Sequence, residues 1–198
     1  MIKNLIFDVG NVLLEYRWNQ MLMDYGLTEE ECKVAGPRIF DNEIWYHLDL
    51  GVPIKEVIEE YRIALPEYAE VIEWFLTHAD LMPIRRLDVW EKVRLLKEKG
   101  YQIYILSNYS REMIDIHTKG AEIWDYANGS VVSADCRLLK PNKEIYELLL
   151  SKYNLKVEEC VFFDDKEENT AAAEKIGIKS YTITSKEYLL EILDEFLA

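Results

Sequence analysis

The chain has 198 residues, 49% of them hydrophobic, and a formal net charge of −14, which suits one sizeable core with an accessory element. The acidic balance argues against nucleic acid and anionic membrane surfaces as partners, because both need a cationic surface. A small anionic substrate stays open, since a metal ion or a lysine can reverse the field inside one pocket. The chain has no apolar run as long as a membrane span and no signal-type segment at its start, so we expect a cytoplasmic protein. Its three cysteines form no zinc pattern, and we expect buried, reduced thiols.

The chain begins with a strand that runs into a carboxylate. Residues 4–7 have strand character, Asp8 follows, and Gly10 and Asn11 supply turn chemistry. Ligands of open α/β sheets bind at the carboxyl ends of the strands, which makes Asp8 a candidate site residue. Taken alone, Asp8 is better explained as an aspartate that starts a turn, and only the recurrence of polar residues at later strand ends favours a site.

Helical periodicity without a convincing strand follows over residues 15–84. The pattern predicts helices at 16–25, 54–64 and 70–78, with Gly26 as a stop and Thr28 as the next N-cap. We therefore predict a small helical bundle inserted after the first strand. Its aromatic residues either line a substrate pocket or fill the bundle core. They are Trp18, Phe40, Trp45, Tyr46, Trp74 and Phe75.

From residue 86 onward helices and strands alternate regularly. Helices are predicted at 87–99, 111–119, 142–153, 168–176 and 186–197, and strands at 101–106, 130–133, 159–163 and 179–183. Strands separated by helices of this length imply an α/β fold with a parallel sheet and right-handed crossovers. The predicted division is a core of residues 1–14 and 85–198 and a helical unit of residues 15–84.

Four strand ends or loops bring polar residues to one edge of this predicted sheet. These residues are Asp8, Ser107, Asn108, Lys140, Asp164 and Asp165. Crowded carboxylates must share a proton or bind a cation, and an oxygen ligand set favours Mg²⁺, held here by Asp8 and Asp164. Lysine, hydroxyl and amide groups suit the oxygens of a phosphoryl group. An aspartate that attacks phosphorus forms an aspartyl-phosphate, which water then hydrolyses.

The same residues form four motifs in the order found in the haloacid dehalogenase-like hydrolase superfamily, which the chain resembles over essentially its whole length. The motifs are FDVGNV at Phe7–Val12, ILSN at Ile105–Asn108, KP at Lys140–Pro141 and FFDD at Phe162–Asp165. Within the superfamily the chain is most similar to the bacterial sugar-phosphatase branch that acts on glucose-1-phosphate.

The resemblance implies a Rossmann-like parallel sheet core with a helical cap inserted after the first strand. It also implies a magnesium-dependent phosphatase of a small phosphorylated metabolite, such as a sugar phosphate. The oligomeric state stays open between a monomer and a weak homo-oligomer. In this resemblance Asp8 is the nucleophile and a metal ligand, and the other metal ligands are the carbonyl of Gly10 and the carboxylate of Asp164. Ser107 and Asn108 contact the phosphate. Lys140 neutralises the charge of the nucleophile and of the transferring group. Asp165 and Asn169 would stand next to the metal site, although many relatives carry an acidic residue at the latter position.

Gly10 departs from the family pattern. Most phosphatases of the superfamily have at this position a second aspartate that acts as general acid and base. Such assistance is typically worth about 10²–10⁴ in rate. Without it, the leaving group must be intrinsically good, or the substrate or the cap must supply the proton. We therefore predict a bias toward sugar-1-phosphates, acyl phosphates or aryl phosphates over simple alkyl phosphates.

Two alternatives remain at this stage. The first is a metal-independent 2-haloacid dehalogenase, with Arg38 as a candidate halide-side arginine. Against it, Gly10 stands where dehalogenases carry an aromatic residue, and a metal-free site has little use for adjacent Asp164 and Asp165. The second alternative is a protein that binds a phosphometabolite without catalysis, as the loss of an acid at Gly10 could indicate. The intact Asp8 and Lys140 argue against it.

Overall fold

The computed structural model describes all residues, Met1–Ala198. The strands are β1 (Asn4–Phe7), β2 (Leu14–Tyr16), β3 (Pro83–Arg85), β4 (Gln102–Ser107), β5 (Gly129–Val132), β6 (Cys160–Asp164) and β7 (Lys179–Thr182). The helices are α1 (Trp18–Tyr25), α2 (Glu29–Phe40), α3 (Glu43–Asp49), α4 (Ile54–Ala64), α5 (Ala69–Thr77), α6 (Leu87–Glu98), α7 (Arg111–His117), α8 (Ile123–Tyr126), α9 (Ser133–Cys136), α10 (Lys143–Tyr153), α11 (Glu167–Lys175) and α12 (Lys186–Leu197). None of the helices has the length and apolar character that a membrane crossing requires.

Five parallel strands form the central sheet in the order β5-β4-β1-β6-β7. The first strand of the chain therefore lies in the middle, paired with β4 on one side and β6 on the other. Phe7 pairs with Phe163, so Asp8 just after β1 and Asp164 at the end of β6 lie side by side at the sheet edge. The register of β1 and β6 is thus the direct cause of the carboxylate pair.

The strands are buried on both faces, and consecutive side chains enter different layers. Leu5 and Phe7 pack with α6 and α12 on one face, whereas Ile6 packs with α10 and α11 on the other. This arrangement explains why the central strands are almost continuously apolar, as expected for a parallel sheet that helices cover on both sides. The predicted α/β fold with a parallel sheet is confirmed.

Helices α1–α5, called the cap here, lie between β2 and β3. The prediction of no strand in residues 15–84 was wrong at both ends, because Leu14–Tyr16 and Pro83–Arg85 pair as an antiparallel ribbon. Three-residue strands carry too little periodicity to be recognised without their partner. The ribbon joins the two chain segments that enter and leave the cap, and the domain boundaries proposed from sequence remain a prediction.

Local signals in the sequence are visible at the helix ends. Gly26 ends α1 with φ of 120°, and the hydroxyl of Thr28 accepts a hydrogen bond from the backbone N–H of Glu31, whose carboxylate bonds back. All three cysteines are free, as predicted. Cys32 and Cys160 are buried, and Cys136 is only partly so.

Candidate active site

The candidate nucleophile Asp8 lies at the carboxyl edge of the central strand, where 8% of its surface is exposed. Ser107 at the end of β4 donates a hydrogen bond from Oγ to Asp8 Oδ1 at 2.6 Å. The ammonium group of Lys140 lies 2.9 Å from the same oxygen. Both contacts use Oδ1, so Oδ2 has no partner within the protein. The carboxylate is therefore oriented by two donors and keeps one oxygen for chemistry.

Lys140 comes from the loop between α9 and α10 and is almost completely buried. Its Nζ donates to Asp164 Oδ2 at 2.5 Å and to the carbonyl of Leu106 at 3.0 Å. Burial disfavours the charged ammonium, but Asp164 and Asp8 outweigh it and raise the pKa of Lys140 above its ordinary value. Lys140 is thus a fixed cation between two carboxylates that belong to neighbouring strands.

The site holds more negative charge than this lysine balances. One carboxylate oxygen each of Asp8, Asp164 and Asp165 lies within 4.8 Å of the others. Burial raises the pKa of Asp8 to about 7, with Asp164 and Asp165 adding to the rise and Lys140 opposing it. Burial likewise raises the pKa of Asp165. A further cation would relieve this repulsion.

Asn108 holds the Lys140 loop against β4. Its Nδ2 donates to the carbonyl of Lys140 at 2.9 Å, and its Oδ1 accepts from the Lys140 N–H at 2.8 Å. Ser107 lies under the nucleophile with 1% of its surface exposed. In this structure both predicted phosphate-binding residues therefore position Asp8 and Lys140, and their contact with phosphate stays a prediction.

Two asparagines support the acidic cluster. Asn169 on α11 donates from Nδ2 to Asp164 Oδ1 at 2.9 Å, while its own Oδ1 is buried without a partner. Asn11 donates from Nδ2 to Asp165 Oδ2 at 2.8 Å and has a φ of 53°. Sequence reasoning recognised Asn11 only as a turn residue, because its side-chain partner is 154 residues away.

A cavity of about 260 Å³ opens above Asp8, between the sheet edge and the cap. Four of the six aromatic residues singled out in the sequence line it, namely Trp18, Phe40, Trp45 and Tyr46. The other two lie elsewhere in the cap: Phe75 is buried against Phe40, and Trp74 stacks on His78. Of the six aromatic residues, some thus line the pocket and others fill the core of the cap, so each of the two predicted roles applies to part of them.

The surroundings of position 10 explain by steric exclusion why it is a glycine. A Cβ atom at this position would lie 2.5 Å from Cε2 of Tyr16 and 2.9 Å from its Cζ. The Tyr16 ring thus occupies the space that a side chain at position 10 would need. Tyr16 also packs edge-on against Tyr109, at 6.1 Å between ring centroids.

Comparison with known proteins supports the sequence motifs. The family model for haloacid dehalogenase-like hydrolases matches residues 2–177. The chain belongs to this superfamily. The hydrolase also resembles a curated relative, the sesquiterpene phosphatase astK of Aspergillus oryzae, with 28% identity over 92% of the chain and 90% of the relative.

Solved structures related to this hydrolase agree with its fold. The enzyme bt-2542 of Bacteroides thetaiotaomicron, in complex with magnesium and inorganic phosphate, superposes with a TM-score of 0.69 at 23% identity, over 93% of this chain and 96% of that chain. The L-2-haloacid dehalogenase RSc1362 superposes with a TM-score of 0.77 at 14% identity, over 98% and 99%. An enzyme that binds magnesium and phosphate and a dehalogenase thus share this fold, so the fold alone does not decide the reaction.

The structure also brings residues to the cavity of this hydrolase that the sequence did not single out. Asp49 at the end of α3, Tyr16 in β2 and Lys166 after β6 all line it. The signal for Lys166 was its position beside the Asp164-Asp165 pair. Asp49 comes just before the turn that joins α3 to α4, and nothing local connects it with Asp8.

Proposed function

We propose that this hydrolase is a magnesium-dependent phosphatase of a small phosphorylated metabolite that acts through a phosphorylated Asp8. The observation that carries the proposal is the buried Asp8 carboxylate, held by Ser107 and Lys140 beside a second carboxylate, Asp164. The phosphatase named among its relatives supports the same class of reaction. A sugar phosphate, the substrate of the branch that the motifs resemble, is the substrate class that we propose.

The residues present fit a hard divalent cation. Three carboxylates converge with a single lysine between them, and the buried Oδ1 of Asn169 lacks a partner. We propose Asp8, Asp164 and the carbonyl of Gly10 as ligands, with Asp165 and Asn169 beside them. A bound Mg²⁺ would offset the repulsion between a phosphate dianion and an anionic nucleophile. Magnesium in the related bt-2542 complex supports this choice.

Each side chain of the site has its own role in the proposed reaction. Ser107 and Lys140 fix Asp8 Oδ1, so that the unpartnered Oδ2 attacks phosphorus. Lys140 lies between Asp8 and Asp164 and offsets the charge of the transferring group. Asn108 keeps the Lys140 loop in place. The surrounding cap limits the entry of water and provides aromatic surface for the organic part of the substrate.

The dehalogenase alternative receives no specific support from the side chains. Arg38 is exposed, forms an ion pair with Glu67 at 3.1 Å and lies over the Tyr68 ring. It does not line the cavity above Asp8. The predicted halide-side arginine is therefore not at the site in this structure, and the acidic cluster favours a metal-dependent reaction.

The test is phosphate release from sugar-1-phosphates, sugar-6-phosphates, acetyl phosphate and p-nitrophenyl phosphate, each with magnesium and with a chelator. We expect release that requires magnesium and is abolished in Asp8→Asn. The matched control is Asp125→Asn, which removes an exposed carboxylate on α8 and should act like the wild type.

Other outcomes would contradict the proposal. Activity that is unaffected by the chelator, together with halide release from 2-chloropropionate, would indicate a dehalogenase. Stabilisation by phosphorylated ligands without phosphate release would indicate a binding protein.

A further inference from the structure

The proposed phosphatase reaction needs a proton donor for its leaving group, and position 10 has no side chain to provide one. The need for this donor rests on the proposed function. Tyr16 fills the space beside Gly10, so the missing aspartate is replaced by an aromatic ring and not by solvent. The donor must therefore come from elsewhere around the cavity.

Of the two cap carboxylates that line the cavity with Asp8, Asp41 and Asp49, only Asp49 is partly buried. It is the last residue of α3, it is partly buried, and it lines the cavity together with Asp8 and Lys140. Its carboxyl group makes no hydrogen bond or ion pair within the protein. The carboxyl group of Asp49 therefore stays free to exchange a proton with a molecule bound in the cavity.

The backbone around Asp49 is anchored to the core and not only to the cap. The Ser133 hydroxyl at the start of α9 donates to the Asp49 carbonyl at 2.5 Å. Gly51, at φ of 88°, passes so close to the core that a Cβ would lie 2.8 Å from the carbonyl oxygen of Ala134. Two contacts within three residues thus hold the end of α3 against the active-site side of the core.

The other acidic groups around the cavity are less suited. Asp165 accepts from Asn11 and belongs to the acidic cluster beside Asp164. Asp41 is exposed. Burial raises the pKa of Tyr16 well above its ordinary value, and Tyr109 adds to the rise, which makes the phenol a poor acid at neutral pH.

We propose that Asp49 is the general acid and base of this enzyme and replaces the aspartate that position 10 lacks. Burial raises the pKa of Asp49 to about 7; Lys166 and Lys140 oppose the rise, and the Asp8 charge adds to it. A carboxyl group with this pKa exists in both protonation states near neutrality, as alternating donation and removal of a proton requires.

The two steps balance with Asp49 as the proton carrier. In the first, an oxygen of Asp8 forms a bond to phosphorus, the bond from phosphorus to the leaving oxygen breaks with its electron pair, and the Asp49 proton passes to that oxygen to give an alcohol. In the second, Asp49 takes a proton from water as the water oxygen bonds to phosphorus. The phosphorus–oxygen bond to Asp8 breaks, its electron pair returns to the carboxylate, and inorganic phosphate leaves.

The test compares p-nitrophenyl phosphate with p-nitrobenzyl phosphate, which differ by one methylene group. Only the alkyl ester needs a proton on its leaving oxygen, because p-nitrophenolate leaves as an anion. For Asp49→Asn we expect kcat/KM for the benzyl ester to fall by about 10²–10⁴, the worth of general acid catalysis, and kcat/KM for the phenyl ester to change less than about tenfold.

The second step gives an independent readout. Loss of the base slows hydrolysis of the aspartyl-phosphate, so Asp49→Asn should show a burst of p-nitrophenolate that is absent in the wild type. Folding should be unaffected, since the carboxyl makes no bond, and a thermal melt checks this. The control is Glu43→Gln, which removes an exposed charge from the same helix and should match the wild type on both esters.

The outcomes separate this inference from the proposed function. Equal losses on both esters, or no loss on either, with an active wild type would overturn the role of Asp49 and leave the phosphatase intact. A wild type that releases no phosphate from any ester would overturn both. With Asp49 as the acid, the leaving-group bias predicted from Gly10 alone should be weak in the wild type and strong in Asp49→Asn.

Discussion

Replacing Gly10 by aspartate, the residue that most phosphatases of the superfamily carry there, should destabilise this enzyme. The new Cβ would lie 2.5 Å from Cε2 of Tyr16 and 2.9 Å from its Cζ, where ordinary contacts begin at 3.4 Å. Gly10 does not have a positive φ, so the clash and not backbone strain is the cause. Tyr16 cannot simply swing away, because its backbone pairs with Pro83 in β3 and its ring packs on Tyr109.

Overpacking of this kind costs about 1–3 kcal/mol in free energy of unfolding. Each kcal/mol lowers the Tm of a protein of this size by about 2–4 °C, so Gly10→Asp should melt about 2–12 °C below the wild type. Gly10→Ala should show most of the same loss, because the Cβ makes the contact.

A double-mutant cycle with Tyr16→Ala tests the cause. Removal of the ring should recover the loss, with a coupling of about 0.5–3 kcal/mol between positions 10 and 16. Tyr16→Phe is the control, because it keeps Cε2 and Cζ and should give no recovery. The steric argument would be refuted if Gly10→Asp melted like the wild type, or if Tyr16→Phe recovered as much stability as Tyr16→Ala.

Two further predictions follow from buried charges. Lys140→Met leaves Asp8 and Asp164 without their counter-ion, so it should lower the free energy of unfolding by about 3–5 kcal/mol. The measurement is urea unfolding at pH 8 without magnesium. A loss no larger than that caused by Lys143→Met, which changes an exposed lysine, would contradict this prediction. Burial lowers the pKa of His117 to about 4, below the unfolded value of about 6.5. The unfolded state therefore binds more protons between these values. As the pH falls from 7 to 4, this group should lower the free energy of unfolding of the wild type by up to about 3 kcal/mol. The stability difference between wild type and His117→Asn should therefore shrink over this range, and a constant difference would show that the burial of His117 does not matter.

The location of the site could be predicted because it depends on local patterns and a general property of parallel sheets. Each strand is a short apolar run, and each ends on a polar residue, so one sheet edge collects Asp8, Ser107 and Asp164. The position of Lys140 could not be predicted in this way, because its loop has no strand pattern. Its role was predicted from the family motif. The structure places these four side chains in contact.

The supporting contacts could not be predicted from the same patterns. Asn11 reaches Asp165, and the Tyr16 ring covers Gly10, through contacts that exist only after β2 has paired with β3. Asp49 looks like an ordinary acidic residue at the end of a short helix. Its place in the same cavity as Asp8 depends on how the cap packs on α9.

The amino-acid sequence alone was sufficient for the α/β fold, the sheet edge that carries the candidate site and the proposed nucleophile Asp8, because residues close in the chain encode each strand and its polar end. Only the tertiary structure decided which aromatic residues line the cavity, why position 10 is a glycine and where Asp49 lies. These features arise from contacts between segments far apart in sequence, whose geometry follows from packing of the cap against the core and not from any local periodicity.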